Sequence, residues 1–345
     1  MHPLGLWALF WGPFAFHGRT MATTAGVLIE SHPTNFVEVP GYRSASNKTW
    51  TKDYDPILNI TVHTTLVPAG AYWLTEADFS TAFLPQYQDD DLRYSEDAAP
   101  PNQRIWRMES EADCELWWHT EISNVVLAAW SRYPTVLQHS HIKPPIASHV
   151  AEEVDTMYTV KNSPDRQNGH RTVLVIGEFK RNLIHAASWQ SGDISARPGQ
   201  VRLSRELRGY ARKYSSPQVF CFDGATLLML QFQANVPNDI ESPNCPVDCW
   251  VLPRETSMIT LRHALYVLLR QGLRRFQGMR LARRRFFDGL PIWDVGGRML
   301  IIHPEGYLRS VDTATGAVSW AHPDDPNEAN RVLESGPFWN IRGNS

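Results

Sequence analysis

Residues 154–180 read VDTMYTVKNSPDRQNGHRTVLVIGEFK. Two apolar runs, 154–160 and 172–179, flank residues 161–170, where Asn, Ser, Pro, Asp and Asn-Gly collect. Short β-branched runs around such turn chemistry predict a β-hairpin. Before it, residues 109–130 place Trp118, Ile122, Val125 and Ala129 on one stripe at helical spacing, and residues 146–150 form another apolar piece at strand period. After it, residues 201–214 place Leu203, Leu207, Tyr210 and Tyr214 on one helical face. Strands are expected over 218–222 and 226–232, around the Asp223-Gly224 turn, and a last helix over 257–275. The order is helix, three strands, helix, two strands, helix, which predicts an α/β sandwich with a mixed sheet.

Charge sits where a buried strand rarely carries it. Period two puts Glu178 and Lys180 on one face of the strand and Phe179 on the other. If the hairpin pairs Asp155 with Glu178, the paired positions sum to 333, centred between Arg166 and Gln167, in the middle of the loop. The two carboxylates then face each other across the strands. They repel unless a cation lies between them, and a hard divalent ion such as Mg²⁺ accepts such oxygens. On a wheel of about 100° per residue, Glu111 shares the Trp118 stripe, Glu115 lies close to it and Glu121 lies well off it. Glu111, with Glu115 behind it, is therefore the expected further ligand, and Glu121 is expected in solvent. A Glu-x-Lys triplet alone arises about once by chance in a chain of this size. The joint pattern of hairpin, aspartate and flanking helices carries the argument.

The chain has 345 residues, 43% hydrophobic and 20% charged, with net charge −3. No uncharged apolar run approaches the ~18 residues of a membrane span, so a bundle of membrane helices is excluded. From 256 to 287 there are eight arginines and no Asp, Glu or Lys, which leaves −11 on the rest. Such asymmetry predicts a basic face, or else a solvated helix surface or cations suited to a helix C-terminus. Cys245 and Cys249 form a C-x-x-x-C without the second ligand pair that zinc needs, so all four cysteines are read as structural. Residues 88–103, QDDDLRYSEDAAPPNQ, read as an exposed linker. The apolar start MHPLGLWALFWGPFAF suits either a secretion signal or a start placed upstream of Met21, and sequons stand at Asn47 and Asn59. Residues 306–320 read as a hairpin. The expected layout is an N-terminal extension (1–105), a core (106–255), an arginine-rich helix packed on it (256–289) and a small C-terminal β region (290–345).

The combination resembles the PD-(D/E)XK nuclease superfamily, in a divergent, fungal-type restriction-endonuclease-like form, over roughly residues 109–235. The resemblance implies an αβββαβ core with a mixed sheet. It implies Asp155, Glu178 and Lys180 as catalytic residues, with Asp155, Glu178 and Glu111 (or Glu115) on Mg²⁺ or Mn²⁺. Pro164-Asp165 copies the motif's opening letters inside the loop, which leaves Asp165 as an alternative aspartate. Exonuclease-like members carry Gln-x-x-x-Tyr on the following helix, and here that spacing holds Glu206 and Tyr210. Arg205, Arg208, Arg212, Arg274, Arg275, Arg283 and Arg284 are the implied phosphate contacts. The implied activity is metal-dependent phosphodiester hydrolysis on DNA or RNA, in a nuclear or cytoplasmic setting. A nuclease-like binding or scaffold module and a secreted effector-like protein are the alternatives. A scaffold is expected to bond Lys180 to Glu178 and leave no open position.

Overall fold

The hairpin forms in the register set by the loop. Val175–Tyr158, Ile176–Met157 and Gly177–Thr156 are partners, and each pair of positions sums to 333. The computed structural model describes residues 23–33, 36–38, 42–66, 72–73, 88–102, 104–132, 134–142, 153–161, 173–234, 237–254 and 258–285, with Phe79, Phe83, Gln86 and short strands past residue 291. The expected strand at 146–150, the alternative Asp165 and the apolar start all fall outside the described residues. The strand before the hairpin is Val136–Ile142, a half-polar stretch that apolar counting passes over.

A seven-stranded mixed sheet organises the molecule. Its strands in chain order are β1 (Ile60–Val62), β2 (Val136–Ile142), β3 (Val154–Val160), β4 (Val173–Phe179), β5 (Gln218–Phe222), β6 (Thr226–Phe232) and β7 (Val247–Pro253). Across the sheet they run β1-β7-β6-β5-β4-β3-β2. The β4–β5 and β7–β1 pairs are parallel and the rest antiparallel. Helices are α1 (Ala25–Ile29), α2 (Gln88–Tyr94), α3 (Glu111–Trp117), α4 (Asn124–Ala129), α5 (Ala186–Gln190), α6 (Pro198–Lys213) and α7 (Leu261–Arg285).

Both faces of the sheet are covered, which is why β4 to β6 read as continuous apolar runs. Phe220, Phe222, Leu227, Met229 and Trp250 pack with Trp117, Trp118, Leu265 and Leu269 from the α3 and α7 side. Val219, Cys221, Leu228, Leu230 and Val251 pack with Leu203, Leu207 and Tyr210 of α6. A bulge between Val173 and Val175 puts Leu174 and Val175 both on the α7 side. Beyond it, Ile176 turns to α6 and Phe179 to the α3 side, so Glu178 joins Ile176 against α6. At the β5–β6 turn, Gly224 adopts φ +93° and the Asp223 carboxylate accepts the amides of Ala225 and Thr226 at 3.1 and 2.9 Å. Past residue 291, Leu308–Val311 and Val318–Ala321 form the expected hairpin, and two further short strands extend it to a four-stranded sheet.

Two expectations are corrected here. The first part of the stretch 88–103 is not an exposed linker: α2 buries Asp89, Asp90 and Arg93 completely or nearly so, and largely exposed chain follows from Ser95 on. Burial is tolerated because the charges are paired. Arg93 reaches Asp89 at 2.6 Å and Asp90 at 2.8 Å, Arg274 reaches Asp89 at 2.6 Å, and Tyr266 donates to Asp90 at 2.6 Å. The described arginines of α7 form no basic face either. Arg274 is 1% exposed, Arg262 donates to the Glu121 carbonyl at 2.7 Å, and Arg275 donates to Gln218 at 2.8 Å and the Val173 carbonyl at 2.6 Å. Arginines without acidic neighbours in sequence find partners in space. The side chains of Arg283 and Arg284 lie outside the described residues. Residues before 106 also build the core, since β1 pairs with β7 and α1 lies against α4 and α7. Among the described residues no helix is long and apolar enough to cross a membrane. All four cysteines are buried free thiols.

Helix α7 crosses the bulge so closely that a Cβ on Gly272 would lie 2.4 Å from the Leu174 carbonyl oxygen. Gly272→Ala is expected to destabilise the chain by about 1–3 kcal/mol. Gly199→Ala, in open space in the first turn of α6, is expected to be neutral or stabilising by up to about 1 kcal/mol. Urea unfolding of the two variants checks both signs.

Candidate active site

Glu178 is the penultimate residue of β4 and Lys180 lies just past its end, both buried. One turn apart on α6, Glu206 and Tyr210 face them. Lys180 Nζ lies 2.5 Å from Glu178 Oε1 and 3.4 Å from Glu206 Oε1. A second ammonium completes the cluster. Lys48 Nζ lies 3.1 Å from the same Glu178 oxygen and 2.9 Å from Glu206 Oε1, and it donates to the Tyr210 hydroxyl. Ser46 Oγ donates to the other Glu206 oxygen, and Tyr210 donates to the Glu153 carbonyl at 2.9 Å. Asp155 borders the cluster across the hairpin, where its carboxylate accepts the Phe179 amide at 2.6 Å.

Three carboxylates meet two ammonium groups in a largely buried place, so the electrostatics are unbalanced by one charge. Burial, then the nearby Asp155 and Glu206, outweigh Lys180 and push Glu178 up to about 8. Burial opposes the charge of Glu206 as well, but Lys180 and Lys48 hold it down at about 2. The pair thus keeps one proton, on Glu178, and Glu206 stays ionised. Burial lifts Asp155 against the Phe179 amide and both lysines. Burial also opposes the charges of Lys48 and Lys180, yet the two glutamates raise both. Glu178 Oε2 is buried and receives no hydrogen bond.

The structure therefore gathers Asp155, Glu178, Lys180, Glu206 and Tyr210. Glu111 is half-buried and near enough to raise Asp155. Glu115 bonds His141 at 3.2 Å, and burial together with His141 pushes neighbouring His119 down to about 4. Glu121 is a correction. It is not in solvent but fully buried, where it accepts the Trp106 indole at 2.9 Å and lies 3.7 Å from Arg262. The helix passes through a π turn over Trp118–Ser123, which contains Glu121 and displaces it from its place on a regular wheel, while Ile122, Val125 and Ala129 stay buried on the expected stripe. Of the α6 arginines, Arg208 is buried on the carbonyls of Ser242, Glu241 and Pro56, and Arg212 pairs with Glu241 at 2.7 Å. Arg205 is half-buried. These bonds commit Arg208 and Arg212 to the protein. Lys48 and Ser46 were not legible as site residues. They lie in a polar stretch with no periodicity, and Lys48 is 130 positions from Glu178.

Comparison of the chain with family models, with curated proteins and with solved structures finds no match.

The shared proton has a measurable consequence. Glu178, raised above its ordinary value of 4.5, contributes stability that is full below 4.5 and lost as pH rises through about 8. Glu206, lowered from 4.5, contributes stability present above 4.5 and lost as pH falls toward about 2. Unfolding between pH 5 and 8 therefore releases the Glu178 proton. In chelator-containing buffer, Glu178→Gln is expected to flatten the fall of stability over that window, by up to about 1.4 kcal/mol per pH unit. Urea unfolding of both proteins at four pH values checks it.

Proposed function

We propose that the chain hydrolyses nucleic-acid phosphodiesters at a PD-(D/E)XK-like site formed by Asp155, Glu178 and Lys180. The observation that carries this reading is the buried Glu178 oxygen that receives no hydrogen bond, beside Asp155 and opposite Lys180. The element order supports it: the α3–α4 helical stretch, the antiparallel strands β2, β3 and β4, helix α6, then β5 parallel to β4. That order is the one an αβββαβ core requires.

The donors suit a hard cation. Asp155 and Glu178 would be the carboxylate pair; among the described residues no group of three or more His, Cys, Asp or Glu is placed to hold a metal ion. Mg²⁺ is commonly held by one or two carboxylates plus substrate phosphate. When bound there, Mg²⁺ or Mn²⁺ supplies Lewis-acid stabilisation of charge on the phosphoryl oxygens. The chain's own groups do the rest. Lys180 holds a fixed positive charge and N–H donors beside the reacting group. Tyr210, raised by burial and by the nearby carboxylates, stays a neutral hydroxyl that accepts from Lys48 and donates to the Glu153 carbonyl, and so orients Lys48. Glu206 does not replace the family glutamine as a phosphate donor, because it is an ionised acceptor engaged by Ser46 and both lysines.

A second reading has its own observation. Two ammonium groups already satisfy one oxygen of Glu178, as a nuclease-like module that binds without cutting would require.

Single- and double-stranded DNA and RNA, incubated with purified protein and Mg²⁺ or Mn²⁺, distinguish the two. Cleavage is expected, abolished by chelator, and reduced at least about 10²-fold in Glu178→Gln and in Lys180→Ala. Unchanged rates in both variants sink the site assignment. Binding without cleavage under every condition establishes the second reading.

A further inference from the structure

Lys48 reaches the site on a strap. Within residues 42–54, the Tyr42 carbonyl accepts from Asn182 at 2.9 Å. The Ser44 amide donates to the Arg181 carbonyl at 2.8 Å, and the Arg181 amide donates to Ser44 Oγ at 2.7 Å. Ser46 caps Glu206. Trp50 then packs edge-on against Tyr210 at 5.2 Å, with the Lys213 ammonium 3.6 Å over its other side. The strap lies so close to α6 that a Cβ on Gly209 would sit 2.3 Å from the Trp50 ring and 2.9 Å from Tyr54.

The two lysines of the cluster differ in one respect. Lys180 is 5% exposed, flanked by β4 and α6, whereas Lys48 is 36% exposed beside carboxylates that are 1% and 0% exposed. Lys48 is the cation of the cluster with a path to water. Its Nζ also bridges one oxygen of each glutamate, the place a shared cation takes between carboxylates.

We propose that Lys48 is a tethered counter-ion of the Glu178–Glu206 pair, and that it competes with a divalent cation for the negative charge of Glu178. The inference rests on the cation-binding reading of the site given above. A divalent ion at Glu178 repels both ammonium groups; Lys180 is buried at the end of β4, so Lys48, on the partly exposed strap, is the one that can move away. Their linkage is reciprocal: holding Lys48 in weakens the ion, and the ion drives Lys48 and its strap outward. The site then carries its own competitor, delivered by a segment that strand and helix periodicity do not reveal.

The test measures Mn²⁺ binding to metal-free protein by the electron paramagnetic resonance of free Mn²⁺. Lys48→Met is expected to bind Mn²⁺ about five- to hundredfold more tightly than the parent, the usual span of a coupling between two sites. Lys48→Arg keeps the charge and is expected to bind like the parent, and Glu178→Gln to lose binding. Equal or weaker binding in Lys48→Met overturns the inference while leaving the cation site standing. No binding in either the parent or Lys48→Met removes the cation-binding reading, and this inference with it. Because Lys48→Met leaves Glu206 less compensated, amide hydrogen exchange on the unaltered chain gives a second readout. Mn²⁺ is expected to speed exchange of the Ser44 and Thr51 amides, which bond the Arg181 and Lys48 carbonyls. Slower or unchanged exchange there in a Mn²⁺-bound chain counts against displacement.

Discussion

Two glutamates from different elements, Glu178 on β4 and Glu206 on α6, are buried together at one sheet end. Such a pair is stable only if cations and a proton neutralise it, because an unpaired charge in a closed interior costs several kcal/mol. The neutralising groups are Lys180, from the same strand end, and Lys48, from a segment more than a hundred residues earlier. That requirement ties β4, α6 and the strap into one unit. It also explains why residues 42–54, short of regular structure, are held by so many polar contacts. Their place is set by these charges together with the packing of Trp50 and Tyr54 on α6.

The opposite face of the sheet solves the same problem differently. There Asp89 and Asp90 of α2 are matched by Arg93, Arg274 and Arg270, in a network that fastens α2 to α7. Arginine forks meet these carboxylates directly and Tyr266 adds a donor, so both carboxylates are matched by cations, although the Nε atoms of Arg270 and Arg274 make no hydrogen bond. The cluster around Glu178 differs. It carries a raised carboxyl, an oxygen without a donor and a half-exposed ammonium. A raised carboxyl at a strand end beside a partly exposed ammonium is what marks this cluster, rather than the α2–α7 network, as the candidate site.

Much of the architecture was legible. Period two on β4 oriented Glu178 and Lys180, and the turn residues 161–170 set a register that brings Asp155 to the same end. Helical spacing on α6 put Leu203, Leu207 and Tyr210 on the sheet, and Asp223-Gly224 marked the β5–β6 turn. Failures have equally local causes. A π turn over Trp118–Ser123 moved Glu121 off the regular wheel, so it was placed in solvent when it is buried on Trp106 and Arg262. The run QDDDLRY was read as a linker because its charges look solvated, and their partners on α7 lie about 185 positions away.

What the sequence determined by itself follows from short-range rules: the alternation of a strand, the stripe of a helix, the φ freedom of a turn glycine, the pairing of a hairpin around its loop. These act over a few residues and leave a periodic trace. What only the tertiary structure decided is the fate of each charge. Whether Arg274 meets solvent or Asp89, and whether Lys48 meets water or Glu178, depends on which distant element is packed beside it. Coulomb attraction in a closed interior reaches across any sequence separation and imprints no period, so the counter-ion of the candidate site emerges only from the fold.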